Sequence, residues 1–174
     1  MAQTGMVLWL MGPTSSGKTT IARRVEEELR DECSPVLHYD GDEVRDLFGE
    51  NFGFEKGSRN LVVQALAHLA DKAAAAGCNV VVSALTAMPE AREYIAENIR
   101  NMALVHIDCS ITTCALRDPK GLYEKAKKGE IDTLIGWNTP YIAPNNPDIT
   151  VNTEELSVEE AVSAILDFMK GRQR

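Results

Sequence analysis

Gly12-Pro13-Thr14-Ser15-Ser16-Gly17-Lys18-Thr19 fits the pattern G-x-x-x-x-G-K-[ST]. The pattern constrains the fold because it works only between a strand and a helix. Glycines let the backbone wrap around phosphate groups, and the helix that follows adds its positive N-terminal end. Both flanks are present. Met6-Val7-Leu8-Trp9-Leu10-Met11 is an apolar run of strand length, and Ile21, Ala22, Val25 and Leu29 recur at helical spacing among charged residues. A glycine-rich turn that merely contains a lysine has no need of that setting. The expected ligand is a nucleoside triphosphate, with Lys18 bridging its β- and γ-phosphates and the Thr19 hydroxyl on Mg²⁺. Gly12, Pro13, Thr14, Ser15, Ser16 and Gly17, with Thr20 behind them, are the expected ATP-binding residues.

Further apolar runs alternate with helical patterns along the chain. The runs are Val36–Tyr39, Asn79–Ser83, Ala103–Asp108 and Ile149–Asn152. Near-continuous apolar stretches such as Val80-Val81-Val82 predict strands covered on both faces, as in a parallel sheet. Val62, Ala65, Leu66, Leu69 and Ala73 form one helical stripe, and Pro89-Glu90 reads as a first helical turn. Ser157-Val158-Glu159-Glu160 is a capping-box pattern, followed by Ala161, Val162, Ile165, Leu166 and Met169 on one face. The expected fold is a single α/β domain over 1–174, a P-loop NTPase-type three-layer sandwich with a five-stranded parallel sheet.

The formal net charge of −8 argues against a broad nucleic-acid-binding face. Cys33, Cys78, Cys109 and Cys114 form no C-x-x-C pair and no zinc-ligand spacing. Cys78 and Cys109 read as buried thiols, and a reducing cytoplasm is the expected compartment. The N-terminal apolar run is too short for a membrane span and flows straight into the phosphate loop, so neither an anchor nor a signal peptide is expected.

Two segments break the alternation. One is Leu47 to Ser58; the other, 118–146, is rich in Lys and Gly and carries Trp137 and three prolines. Long insertions at strand ends are usually lids or substrate loops, though irregular surface packing also fits. A second site follows the second strand, at Asp40-Gly41-Asp42-Glu43-Val44-Arg45. Ligands of open α/β sheets lie outside the carboxyl ends of the strands, which brings Lys18 and Asp42 to one crevice. A carboxylate there can orient an acceptor hydroxyl or take its proton, and Arg45 can hold an anion by a forked contact. The plainer reading has Asp42 capping a helix. His38 and His106 read as packed, and His68 as solvated. Ser83 and Thr86 close the third strand near the crevice.

Several runs together resemble the adenylylsulfate kinase family. They are Trp9-Leu10-x-Gly12 before the loop, Asp40-Gly41-Asp42-x-Val44-Arg45, Gly53-Phe54 with Arg59, and Arg117-Asp118-Pro119-Lys120-Gly121-Leu122-Tyr123. The match continues through Lys125-Ala126, Gly129-Glu130-Ile131, Gly136, Pro140-Tyr141, Pro144 and Asn146-Pro147-Asp148-Ile149. It spans roughly Val7 to Thr153. The resemblance implies an ATP-dependent, Mg²⁺-requiring phosphotransferase acting on the ribose 3′-hydroxyl of adenylyl sulfate. It implies Lys18 and Asp42 as catalytic residues, with Arg117 and Asn152 joining the ATP site. Asp40, Asp42, Arg45, Phe54, Arg59, Thr86, Lys120 and Leu134 would face the acceptor. Phe54 would stack on its base, and the segment from Arg117 and Lys120 onward would form a lid. A homodimer is also implied.

The departures from the family pattern cluster on the acceptor side. Glu43 stands where the family has Asn, and Ser58-Arg59-Asn60-Leu61-Val62-Val63-Gln64 keeps only the first Arg of Asp-Arg-x-x-Asn-x-Arg. Ala84-Leu85-Thr86-Ala87-Met88-Pro89 replaces Phe-Ile-Ser-Pro-Tyr-Arg, and Leu134 replaces a base-stacking Phe. Losing a stacking ring costs about 1 kcal/mol beyond area burial. The substitutions therefore predict an altered small anionic acceptor, such as another nucleotide or a nucleotide-linked phosphorus or sulfur group. Trp137 either supplies a substitute stacking surface or simply packs. Two other functions compete: a nucleotide-binding module without chemistry, which has no need of Asp42 and Arg45, and a nucleotide hydrolase. The hydrolase reading needs an acid at a strand end, where the third strand has Ser83 and the fourth Asp108.

Overall fold

The computed structural model describes residues 4–49 and 53–172. Residues 50–52 of the Leu47–Ser58 segment lie outside the described residues. Five strands form one parallel sheet: β1 (Val7–Met11), β2 (Val36–Asp40), β3 (Asn79–Ser83), β4 (Met102–Asp108) and β5 (Ile149–Asn152), in the order β2-β3-β1-β4-β5. All five residues of β1 are buried. Its side chains alternate between two cores, so neither face can be polar. Leu8 and Leu10 join the layer of α1 (Lys18–Asp31) and α7 (Val158–Arg172). Val7, Trp9 and Met11 join the layer of α3 (Lys56–Ala75) and α4 (Pro89–Asn98). Truncating a fully buried side chain such as Trp9 to Ala should cost about 3–5 kcal/mol.

The helices follow the sequence signals closely in two places and less so in a third. Helix α1 buries Ile21, Ala22, Val25 and Leu29 as its spacing predicts. At the start of α7, Ser157 Oγ accepts from Glu160 N–H at 3.2 Å, while Glu160 Oε2 accepts from Ser157 N–H at 2.8 Å, the reciprocal capping box. Helix α3 differs. Its buried face is Val62, Val63, Leu66, Ala67, Ala70 and Ala74, and Leu69 is 43% exposed. Leu69 shares the edge of that face with Ala65 and Ala73, which are only half-buried themselves. Cys78 is also only half-buried, whereas Cys109 and Cys114 are buried, and all four cysteines are free.

Register sets the site. Leu10 pairs with Ser83 and Asp40 pairs with Ser83, so the carboxyl ends of β1, β2 and β3 finish side by side. Beyond them stand the phosphate loop, α2 (Gly41–Asp46) and the turn at Thr86. The 118–146 segment contains α6 (Leu122–Lys127) and one bridge, Ile135 to Thr139, and otherwise runs irregularly after α5 (Ile111–Arg117). Among the described residues no helix is long and apolar enough to cross a membrane.

Candidate active site

The phosphate loop is held open by its neighbours. Gly17 has φ +96°, the left-handed region that a β-carbon disfavours, directly before the first turn of α1. Gly12 is required for a different reason: a β-carbon there would collide with the Ile107 carbonyl. The Tyr123 hydroxyl donates to Thr14 O at 3.0 Å, and the Thr153 hydroxyl donates to Ser16 O at 3.1 Å. These bonds hold loop carbonyls from outside. The first-turn N–H groups of α1 have no partner within the helix and remain for a ligand. The Ser15 and Ser16 hydroxyls are buried without a hydrogen-bond partner. Orphaned donors beside a helix N-terminus fit the oxygen-rich phosphates of a nucleotide.

Lys18 is half-buried, and its Nζ donates to Pro13 O at 2.7 Å across the loop. Burial of its ammonium lowers its pKa to about 8, partly offset by the carboxylates of Asp42 and Asp40. Thr19 donates its hydroxyl proton to Asp40 Oδ2 at 2.7 Å. The Thr19 oxygen thereby keeps its lone pairs for a cation, which fits Mg²⁺. Ser83 Oγ donates to the same Asp40 oxygen at 2.7 Å, and Asp42 N–H donates to Asp40 Oδ1 at 2.8 Å. Burial alone would raise the Asp40 carboxyl, but these three donors outweigh it and hold the pKa below the ordinary value. The helix cap of α2 is therefore Asp40 and not Asp42, leaving the Asp42 carboxylate open for other work. Asp40, expected toward the acceptor, also bonds Thr19 at the loop, because β2 ends directly beside the start of α1.

One cavity of about 690 Å³ gathers most of the expected site. Thr14, Ser15, Gly17, Lys18, Thr19, Thr20 and Arg117 line it on the loop side. Asp40, Asp42, Arg45, Phe54, Arg59, Thr86, Lys120 and Leu134 line the rest. Gly12, Pro13 and Ser16 are buried behind the loop surface. Asn152 is not in the wall; its Oδ1 accepts from Glu154 N–H at 2.9 Å and shapes the turn after β5. Arg117 reaches that turn, with Nη2 donating to Thr153 O at 2.6 Å and Nη1 to Thr153 Oγ1 at 3.0 Å.

On the acceptor side, Phe54 is half-exposed, with the Arg45 guanidinium 4.5 Å and the Arg59 guanidinium 5.7 Å from its ring centre. Arg45 also donates to Gly53 O at 2.6 Å, and Arg59 donates to Phe54 O at 2.6 Å and to Thr133 O at 2.8 Å. Burial, then the charge of Arg45, lowers the Arg59 pKa. The Glu55 carboxylate lies near both guanidiniums and offsets part of this repulsion, as an anionic ligand would. Lys120, from the 118–146 segment, forms an ion pair with Asp42 across the cavity. Leu134 is buried beside Cys109, Cys114, Tyr123 and Ala126. Trp137 packs edge-on against Tyr123 at 6.3 Å, stays half-exposed and is not in the cavity wall. Thr86 has φ +42°, and its Oγ1 accepts from the Trp9 indole N–H at 2.9 Å. That strained turn sits at the cavity edge.

The sequence did not mark Tyr123 and Thr153 as braces of the loop. Tyr123 stood inside the Arg117–Tyr123 run, but nothing local pairs it with Thr14. His38 and Ser83 connect to Asp40, whereas the sequence reads His38 as packed and Ser83 as a strand-end hydroxyl able to position a phosphate.

A family model of adenylylsulphate kinase matches residues 4–152. The adenylyl-sulfate kinase of Deinococcus deserti is 37% identical over 166 residues, covering 95% of this chain and 92% of that protein. That of Staphylococcus epidermidis is 34% identical over 166 residues, covering 94% and 83%. The solved structure of the Mycobacterium tuberculosis APS kinase CysC in complex with AMPPNP and APS is 31% identical, with a TM-score of 0.90 over 96% of this chain and 98% of that one. Over nearly its whole length, in sequence and in fold, the chain belongs to the adenylylsulphate kinase family.

Proposed function

We propose that this chain transfers the γ-phosphate of ATP to a hydroxyl of adenylyl sulfate, and by the family resemblance to its ribose 3′-hydroxyl. The observation that carries the reading is a single cavity holding Lys18, Asp42 and the Arg45–Phe54–Arg59 group together. Lys18 and the loop grip the donor, and the two guanidiniums flanking Phe54 offer a face for a base with an anion beside it. Asp42 stands between these halves.

Phosphoryl transfer needs positioning and charge neutralisation more than covalent chemistry. Lys18 leaves Pro13 O for the phosphates, where the added negative charge favours its ammonium. Asp42 orients the acceptor hydroxyl and takes its proton, released from Lys120 as the acceptor enters. Mg²⁺, received at Thr19, would neutralise charge on the terminal phosphates. The 118–146 segment excludes water, tied down through Lys120 to Asp42, Tyr123 to Thr14 and Arg59 to Thr133. The free cysteines and the ATP requirement support a cytoplasmic reaction. The resemblance also carries the proposal of a homodimer.

A second reading, a related nucleotide-type acceptor, is favoured by the departures from the family pattern at Glu43, Ala84-Leu85-Thr86-Ala87-Met88-Pro89 and Leu134. Leu85, Met88 and Leu134 line the cavity with Val62 and Ala91 and give that part of the wall an apolar face. Coupled ADP release over a panel of acceptors separates the two. Turnover of adenylyl sulfate with a micromolar KM supports the first reading. Turnover confined to another nucleotide replaces it with the second, and ATP binding without turnover of any acceptor contradicts both.

A further inference from the structure

Four side chains from two strands and one helix form a continuous chain of hydrogen bonds, three of them, Thr19, Asp40 and Ser83, in the cavity wall. His38 Nε2 lies 2.9 Å from Ser83 Oγ, Ser83 Oγ lies 2.7 Å from Asp40 Oδ2, and Thr19 Oγ1 lies 2.7 Å from that same oxygen. The direction of each bond follows from counting protons. An ionised carboxylate can only accept, so Ser83 and Thr19 each spend their one hydroxyl proton on Asp40. Ser83 then has only lone pairs left for His38. The imidazole must therefore donate through Nε2–H, and its tautomer is fixed. Its other nitrogen, Nδ1, is 3.8 Å from Glu26 Oε2, and the His38 side chain is 7% exposed.

We infer that His38 and Ser83 are positioning residues for the metal-receiving end of the site. His38 locks the Ser83 hydroxyl rotor, Ser83 locks Asp40, and Asp40 aims the lone pairs of Thr19 and anchors the N–H of Asp42. The argument rests on Thr19 as the Mg²⁺-receiving residue. Without the imidazole donor, Ser83 is free to turn away, and Asp40 is held on Oδ2 by Thr19 alone. Carboxylates and hydroxyls at a metal site typically lose 10–100-fold in metal affinity when the group that orients them is removed. The arrangement needs a donor at the Nε2 position rather than an imidazole as such, so a glutamine amide, which also places an N–H near that position, should substitute.

The test is direct binding of Mn²⁺, followed by electron paramagnetic resonance, to the protein saturated with ADP. His38→Leu should weaken Mn²⁺ binding about tenfold. His38→Gln should stay within about twofold of the parent, since it retains the donor. Ser83→Ala, a smaller change at the same link, should weaken Mn²⁺ as His38→Leu does. ADP affinity measured in chelator should be unchanged in all three. Parent-like Mn²⁺ binding by a folded His38→Leu or Ser83→Ala protein overturns the inference, as does a His38→Gln protein as weak as His38→Leu. Thr19→Ala separates the two levels of the argument. If it leaves Mn²⁺ binding intact, the reading of Thr19 fails; if it abolishes binding while His38→Leu does not, only the relay fails.

Discussion

Replacing Lys18 with Met should make the empty protein more stable while abolishing turnover. The native fold buries the Lys18 ammonium, and its pKa falls from the ordinary 10.5 to about 8. Moving a pKa by one pH unit corresponds to about 1.4 kcal/mol, so the buried charge costs the empty fold about 3 kcal/mol at neutral pH. Methionine fills a similar volume without charge but forfeits the charge-assisted bond to Pro13 O, worth about 2 kcal/mol. A net gain of about 1 kcal/mol remains. The pH dependence has a definite sign. Below pH 8 Lys18 is protonated in both states and its full cost is present. Between pH 8 and 10.5 the folded protein releases the proton while the unfolded chain still holds it, so the parent gains stability as pH rises. The advantage of Lys18→Met should therefore shrink steadily across that window. Urea unfolding at pH 7 and pH 9.5 reads both quantities. A Lys18→Met protein less stable than the parent at pH 7, or an advantage that grows with pH, refutes the reasoning. The lowered Lys18 pKa also predicts that ATP binding takes up a proton above pH 8, measurable by calorimetry in buffers of different ionisation heat.

Other expectations follow from single contacts. Asp42→Asn keeps the shape but removes the proton acceptor, and kcat should fall at least about 100-fold with ATP affinity retained, as a nucleotide-binding titration will show. Phe54→Ala removes the ring held between Arg45 and Arg59, and the KM for adenylyl sulfate should rise about tenfold in steady-state assays with little change in the KM for ATP. Tyr123→Phe deletes the brace on Thr14 O, so the KM for ATP should rise several-fold, on the order of the ~1 kcal/mol of one hydrogen bond.

The half of the fold around the phosphate loop was legible because its signals are local. A strand buried on both faces reads as an apolar run, a helix with a wide apolar stripe reads by its period, and Gly12 and Gly17 stand where sterics demand them. Helix α3 was less legible at Leu69, because alanine-rich faces carry little hydrophobic contrast. The cap of α2 was misplaced by two residues. Asp40 and Asp42 are equivalent in a linear pattern, and only the arrival of Thr19 from α1 and Ser83 from β3 tells them apart. The 118–146 segment was recognisable as an insertion but not as a built structure. Its ties join residues 109 positions apart, as in Tyr123 to Thr14, or 74 apart, as in Arg59 to Thr133. No local periodicity encodes such pairs. The site followed the same rule: Lys18, Thr19 and Asp42 were readable from motifs, whereas the His38–Ser83 link became visible only once β2 and β3 were in register.

The most direct test of the central claim is the identity of the product formed from ATP and adenylyl sulfate, determined by mass spectrometry and phosphorus NMR. Stoichiometric ADP and an adenylyl sulfate carrying one added phosphate on its ribose 3′-oxygen are expected, with no such product from Asp42→Asn. ADP and inorganic phosphate without phosphorylated adenylyl sulfate would contradict it.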